Sequence, residues 1–161
     1  MTIYSVFEED SVYNNILDDK YLTFSSDDNT AMIFNSNTIS AIRGKVTLPL
    51  TLQGREVLSF GTNSTEIRDA ASHITHIFWQ LPTDLVQCKV EAYNNSAFNG
   101  WNNLLYVEIP ENETNTFVIN TRCFELAKNL FNNAKITAKH KQEFFERITA
   151  LGESCFANIG T

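Results

Sequence analysis

Three side chains near the middle of the chain have a spacing that suits a metal ion. Asp69, His73 and His76 would share one face if the segment were helical, and imidazole and carboxylate are common zinc ligands. However, the segment lacks the His-Glu-x-x-His motif of metalloproteases, and a solvated polar helix face gives the same pattern. We therefore predict no metal site.

Cys123 has the best position for a nucleophile. We predict that it lies in the first turn of a helix, where the helix dipole can lower the pKa of a thiol. The same residue falls on an apolar stripe with Ala127 and Leu130, and a buried cysteine commonly acts as a small hydrophobe. The second interpretation is favoured, so we predict no catalytic residue.

Motifs that bind nucleotide cofactors are missing from the sequence. The six glycines are scattered, and none of their spacings matches a phosphate-binding loop. The three cysteines are odd in number and far apart, which fits neither a disulfide framework nor a zinc site. The sequence thus predicts no cofactor and favours a binding protein over an enzyme.

The segment from 93 to 103 combines aromatic side chains with small polar ones. Tyr93, Phe98 and Trp101 stand among asparagines and serines, a mixture typical of recognition loops. We therefore predict that these three residues bind a partner. The alternative is that Phe98 and Trp101 fold back and cap the core.

Negative charge is concentrated at the start of the chain. The net charge is −7, yet residues 1–30 hold seven acids against Lys20 alone. An acidic surface repels nucleic acid and anionic membrane and steers association with a basic partner. Alternatively, these carboxylates only keep the protein soluble. The acidic residues that we predict to bind a partner are Glu8, Glu9, Asp10, Asp18, Asp19, Asp27 and Asp28.

Hydrophobic periodicity predicts a series of short strands and three main helices. The helices are an amphipathic one at 64–81 and two C-terminal ones at 121–133 and 137–151. A strand at 2–7 and a short helix at 11–17 precede a hairpin of 21–24 with 31–34. Further strands are predicted at 46–52, 57–60, 86–92, 105–109 and 116–119. Pro49 should place its strand at an edge or a bulge.

These elements predict an α+β fold. Alternation of apolar and polar residues favours a mainly antiparallel sheet of six to eight strands, with helix 64–81 packed on it and two C-terminal helices. We find no internal repeat, and 161 residues with 43% hydrophobic content suit one domain, 1–161. The first residues lack the basic and apolar regions of a signal peptide, so we expect a cytoplasmic protein.

A small, acidic α+β chain without catalytic motifs resembles bacterial toxin-immunity proteins, including those of contact-dependent growth inhibition systems. The resemblance lies in the general profile. It implies neutralisation of a cognate toxin, often a basic nuclease, by tight binding in the cytosol.

Other functions fit the same sequence. A phage-type inhibitor of a host nuclease has the same physical profile. A small-molecule-binding domain or small enzyme would place a pocket near helix 64–81, with Asp69, His73 or Cys123 beside it. Self-association through acidic and basic ends is a third alternative, because residues 120–147 hold six bases and three acids.

Overall fold

The computed structural model describes residues 16–26, 29–61 and 65–159. The chain forms a mixed α/β fold whose sheets are mostly parallel. Its strands are β1 (Leu22–Phe24), β2 (Ala31–Phe34), β3 (Gly44–Leu48), β4 (Thr51–Leu52), β5 (Arg55–Glu56), β6 (Ser59–Phe60), β7 (Ile74–Trp79), β8 (Ala92–Tyr93), β9 (Tyr106–Val107), β10 (Val118–Ile119) and β11 (Ala150–Leu151). The helices are α1 (Thr65–Ala70), α2 (Ala138–Glu146) and a 3-10 turn at Ile39–Ala41.

Successive passes of the chain stack on one another as windings. One sheet has the order β1-β2-β6-β8-β10-β11, a second has the order β3-β7-β9, and β4 and β5 form a small third sheet. Between β2 and β10 the chain alternates between the first two sheets. From β2 onwards every pairing in both sheets is parallel. The windings are 31–58, 59–91, 92–117, 118–149 and a partial fifth, 150–159. This is the arrangement of a solenoid, in which each repeat contacts its neighbours.

A stack of turns forms a third column beside the two sheets. Hydrogen bonds join the backbone N–H groups of Ser96 and Phe98 to carbonyls of the next winding, and those of Arg122 and Phe124 continue to the winding after that. The rings of Phe98, Phe124 and Phe156 form a ladder through the interior, with centroids 5.1 and 5.5 Å apart and planes tilted by 7°. The core therefore runs along the axis of the windings.

The expected antiparallel sheet is wrong. Among the described strands only β1 with β2 and β4 with β5 pair antiparallel. The first of these is the hairpin predicted at 21–24 and 31–34. The strand predicted at 116–119 is shortened to β10, and it pairs parallel with β8 and β11 instead of folding back on its predecessor. Likewise only Ala92–Tyr93 and Tyr106–Val107 are strands within or beside the segments predicted at 86–92 and 105–109.

The prediction of a helix at 64–81 is also wrong beyond the first turns of that segment. Helix α1 ends at Ala70 and the chain continues as strand β7. Ile74, Ile77 and Phe78 are fully buried, and β7 is the central strand between β3 and β9. A strand buried on both faces shows a continuous apolar run, and such a run also fits a helical stripe.

The two C-terminal helices are reduced to one. Positive φ angles at Arg122, Leu126 and Phe131 interrupt any helix over 121–133, where the chain forms turns. Helix α2 begins after the cap Thr137 and ends at Glu146, so the predicted helix 137–151 stops early and Leu151 lies in strand β11. The side chain of Thr137 accepts a hydrogen bond from the His140 N–H, which fixes the start of α2.

The strand predicted at 46–52 is divided, because β3 ends at Leu48 and β4 begins at Thr51. Pro49, which cannot donate to a ladder, lies between them. Strand β3 is the terminal strand of its sheet, and its register shifts between Gly44 and Lys45. The segment 57–60 contains β6. The strand predicted at 2–7 and the start of the helix at 11–17 lie outside the described residues.

Candidate functional site

Asp18 and Asp19 are exposed in the turn that leads into β1. The Asp18 carboxylate accepts a hydrogen bond of 3.0 Å from the Lys20 N–H, and its carbonyl accepts two more from the N–H groups of Tyr21 and Leu22. Because β1 is the outermost described strand of the six-stranded sheet, this pair lies at one end of the described stack, which we call the acidic edge. Glu8, Glu9, Asp10, Asp27 and Asp28 lie outside the described residues.

The three aromatic residues predicted to bind a partner lie in the core. Tyr93 and Phe98 have no exposed surface, and Trp101 is 2% exposed. The Phe98 ring stands edge-on to both others at a centroid distance of 5.0 Å. The burial of Phe98 and Trp101 agrees with the alternative interpretation, in which these two side chains cap the core. Burial leaves none of the three side chains on the surface that a partner would meet.

The helical arrangement of Asp69, His73 and His76 is not formed. Asp69 is on α1, His73 follows it in a turn, and His76 lies on β7 with its ring buried and its Nδ1 2.8 Å from the Thr75 hydroxyl. Among the residues that the structure describes, no cluster of three or more His, Cys, Asp or Glu side chains is arranged to hold a metal ion.

Cys123 is a core residue. Its side chain is fully buried, and burial raises the pKa of the thiol well above its usual value. Cys123 directly precedes Phe124 of the ladder. Ala97 precedes Phe98 in the same way in the previous winding, and Cys155 precedes Phe156 in the next one. Such a thiol is protonated and enclosed, so the helix-dipole argument for a nucleophile fails at this position.

A cleft of about 160 Å³ opens where α2 crosses the second and third windings. Its wall is formed by residues 79–82 after β7, by Cys88, by Tyr106 and residues 108–111 around β9, and by Glu143 and Arg147 at the end of α2. Neither Asp69, His73 nor Cys123 lines it. The cleft shares only residues 79–81 with the segment predicted as helix 64–81.

Glu108 is the central polar group of the cleft. Its carboxylate accepts a hydrogen bond of 3.0 Å from the backbone N–H of Trp79. Burial and, to a smaller extent, the negative charge of Glu143 raise the pKa of the Glu108 carboxyl to about 7, against the lowering effects of the Trp79 N–H and of Arg147. A carboxyl group with this pKa can exchange a proton near neutral pH.

A buried polar network holds Glu108 in place. The indole N–H of Trp79 donates to the Tyr93 hydroxyl at 2.8 Å, and that hydroxyl donates to the backbone carbonyl of Glu108. The network thus joins Trp79 of the second winding to two residues of the third winding, Tyr93 on β8 and Glu108 directly after β9. Such a connected set of buried groups is rigid because breaking one bond leaves a buried partner unsatisfied.

The other charged groups of the cleft lie at its rim. Arg147 donates a 3.0 Å hydrogen bond to the Ile109 carbonyl and lies 4.0 Å from the Glu111 carboxylate. Burial raises the pKa of the Tyr106 hydroxyl, and the charges of Glu108 and Glu143 add to the effect. Three carboxylates and one guanidinium therefore line the cleft, whose net charge is negative when Glu108 is ionised.

Sequence reasoning missed this cleft. It placed Glu108 on the solvent side of an alternating strand, yet Glu108 is half-buried and Tyr106, on the same side, is buried. Glu143 and Arg147 stand four residues apart on the predicted C-terminal helix, which was the available signal. That spacing is common on exposed helices and did not identify a site.

Comparison with protein-family models, curated proteins and solved structures gave no match. In the part of the chain that the structure describes, no helix combines the length and the apolar character needed to cross a membrane.

Proposed function

We propose that this protein is an inhibitor of the immunity type, which binds a basic toxin domain, such as a nuclease, in the cytosol and neutralises it. The observation that carries the proposal is the concentration of charge: seven of the nineteen acids lie in the first thirty residues beside one base. Such a local excess of negative charge steers a basic partner and speeds association.

The position of Asp18 and Asp19 supports this proposal. Both are exposed at the turn before β1, which is the terminal strand of its sheet. Among the described residues, no winding lies beyond β1 at this end of the stack. Solenoids present extended surfaces of this kind to their partners.

Co-purification tests the function. The candidate partner is the basic C-terminal domain of a large secreted protein encoded beside this gene, expressed together with the full chain. We expect the two proteins to elute as one complex at micromolar concentration and the activity of the toxin domain to be lost. Separate elution at that concentration contradicts the proposal, and so does a gene neighbourhood without any such protein.

The location of the interface is tested by removing charge at opposite ends. Asp18→Asn with Asp19→Asn removes two charges from the acidic edge, and the new amide side chain at position 18 keeps an oxygen that can accept from the Lys20 N–H. We expect association to slow by about three- to tenfold at low salt and to depend less on salt. The matched control is Glu146→Gln with Glu153→Gln, because both residues are exposed near the opposite end. Equal effects of the two variants would contradict docking at the acidic edge.

A further inference from the structure

We propose that the cleft between residues 79–82, residues 106–111 and α2 binds a small organic cation, whose ammonium group lies between the Glu108 and Glu143 carboxylates. This site is independent of the acidic edge and of the partner-binding function. Its argument comes from the shape, the charge and the wall of the cleft.

The size of the cleft limits its ligand. A volume of about 160 Å³ is close to that of a cavity that holds one benzene molecule, roughly 150 Å³. Trp79, Tyr106 and Ile109 form apolar parts of the wall, with Leu81 and Pro82 at the opening. Such surroundings suit a ligand with a compact apolar body and one polar group.

The charges in the cleft select the sign of that polar group. Glu108, Glu111 and Glu143 are opposed by Arg147 alone, and Arg147 is already engaged with the Ile109 carbonyl and lies beside Glu111. An anion would meet uncompensated carboxylates. A protonated amine would relieve the repulsion that Glu143 exerts on Glu108, and aromatic side chains in the wall favour a cation further.

An organic cation fits better than a metal ion. The described residues contain no cluster of three His, Cys, Asp or Glu side chains arranged for a metal. Hard cations require six or more oxygen ligands, whereas the wall presents three side-chain carboxylates, Glu108, Glu111 and Glu143, beside one guanidinium. An ammonium group needs few hydrogen-bond acceptors, and the apolar body of the ligand that carries it fills the remaining space of the cleft.

Binding is coupled to the protonation of Glu108. The titratable and charged groups around it are Tyr93, Tyr106, Cys88, Glu111, Glu143 and Arg147, with His140 against Tyr106. Burial raises the pKa of both phenols and of the Cys88 thiol, and it lowers the pKa of His140. Above a pH of about 7 Glu108 is ionised and attracts the cation, and below it the proton and the cation compete.

Three probes of one size and different charge test the proposal on the full chain: benzylamine, benzyl alcohol and benzoate. We expect benzylamine to bind with a Kd of roughly 0.1–10 mM at about pH 8, and the other two at least about tenfold more weakly. The affinity for benzylamine should fall about tenfold or more between about pH 8 and about pH 5.5. Titration calorimetry and chemical shifts of the Trp79 and Tyr106 resonances would follow binding.

Variants separate the cleft from the general negative charge of the protein. Glu108→Gln should weaken benzylamine binding by about tenfold or more and remove its pH dependence. Glu153→Gln removes the same charge from an exposed site outside the cleft and should change binding less than about twofold. Leu81→Trp, at the half-exposed mouth, should block all three probes.

Three results would overturn the proposal. Equal affinity for benzylamine and benzyl alcohol would show a cleft that selects no charge. No saturable binding of benzylamine at about 50 mM, or equal loss in the Glu108→Gln and Glu153→Gln variants, would show that the carboxylates of the cleft form no cation site. The amide oxygen that Glu108→Gln introduces can still accept from the Trp79 N–H, so this variant is expected to remain folded.

Discussion

Glu108 links the cleft to the stability of the fold. Its pKa of about 7 lies above the ordinary value of 4.5 because the carboxyl group is buried. Between these two pH values the folded chain binds a proton that the unfolded chain has released. The contribution of Glu108 to the free energy of unfolding is therefore fully present below about pH 4.5 and is lost as the pH rises through 7.

Replacing Glu108 with Gln should remove this pH dependence. At about pH 8 the variant has no buried charge, so we expect its free energy of unfolding to exceed that of the wild type by about 1–3 kcal/mol. Near pH 4.5 the two proteins should be nearly equal. Urea unfolding across this range measures the effect.

His140 acts in the opposite direction and is unchanged in both proteins. Burial lowers its pKa, and its Nδ1 accepts a hydrogen bond of 3.0 Å from the Thr137 N–H, so stability from this residue falls as the pH drops below about 6.5. The difference between the wild-type and Glu108→Gln curves cancels the contribution of His140. Parallel curves would show that Glu108 has no raised pKa.

At the scale of elements, the close approach of neighbouring windings depends on Gly152. A Cβ atom added there would lie 2.4 Å from the backbone nitrogen of Thr121 and 2.6 Å from the carbonyl carbon of Asn120. These are backbone atoms, so relief requires the last winding to move away from the fourth. Overpacking of this kind destabilises by about 1–3 kcal/mol.

Gly152→Ala should therefore lower the free energy of unfolding by about 2 kcal/mol. The matched control is Gly54→Ala in the β4–β5 hairpin, where φ is +75° but no atom lies within 4 Å of the added Cβ. In that variant the free energy of unfolding should fall only by the cost of placing alanine in a left-handed backbone conformation, about 1 kcal/mol. Denaturation followed by tryptophan fluorescence compares them. A smaller loss for Gly152→Ala than for Gly54→Ala would contradict the close approach.

Sequence patterns predicted some elements and failed at others for physical reasons. The β1–β2 hairpin is local, so its turn residues and short strands suffice to predict it. Strand β7 depends on non-local pairing with β3 and β9, and its apolar run fits a helix equally well. The Glu108 cleft depends on α2 crossing two other windings, and spacing along one segment cannot show this.

An internal repeat is present, although none was predicted. A small residue followed by Phe recurs as Ala97-Phe98, Cys123-Phe124 and Cys155-Phe156, and these pairs stack in the turn column. The windings differ in length because loops and helices, such as α2, stand between successive strands along the chain. A search for one fixed period therefore misses a repeat that the two-residue pattern reveals.

At the scale of the whole molecule, a stack of windings should be least stable at its ends. Each inner winding gains stability from two neighbours, but among the described residues the partial fifth winding, 150–159, pairs with the fourth alone. Strand β11 is exposed, and the Phe156 ring is only partly buried, whereas the Phe124 ring is fully buried with aromatic neighbours on both sides. The same substitution should thus have different effects at these two positions of the ladder.

Phe124→Leu and Phe156→Leu form the matched pair. We expect Phe124→Leu to lower the free energy of global unfolding by about 1–2 kcal/mol, because it interrupts the ladder at its centre. Phe156→Leu should lower it by less than about half as much, while the amide hydrogens of residues 150–159 exchange faster and those of the second and third windings do not. Hydrogen exchange measured by NMR resolves the windings separately. Equal losses, with faster exchange throughout the chain, would show that the windings unfold as one cooperative unit, and the stability of each winding would then not depend on its place in the stack.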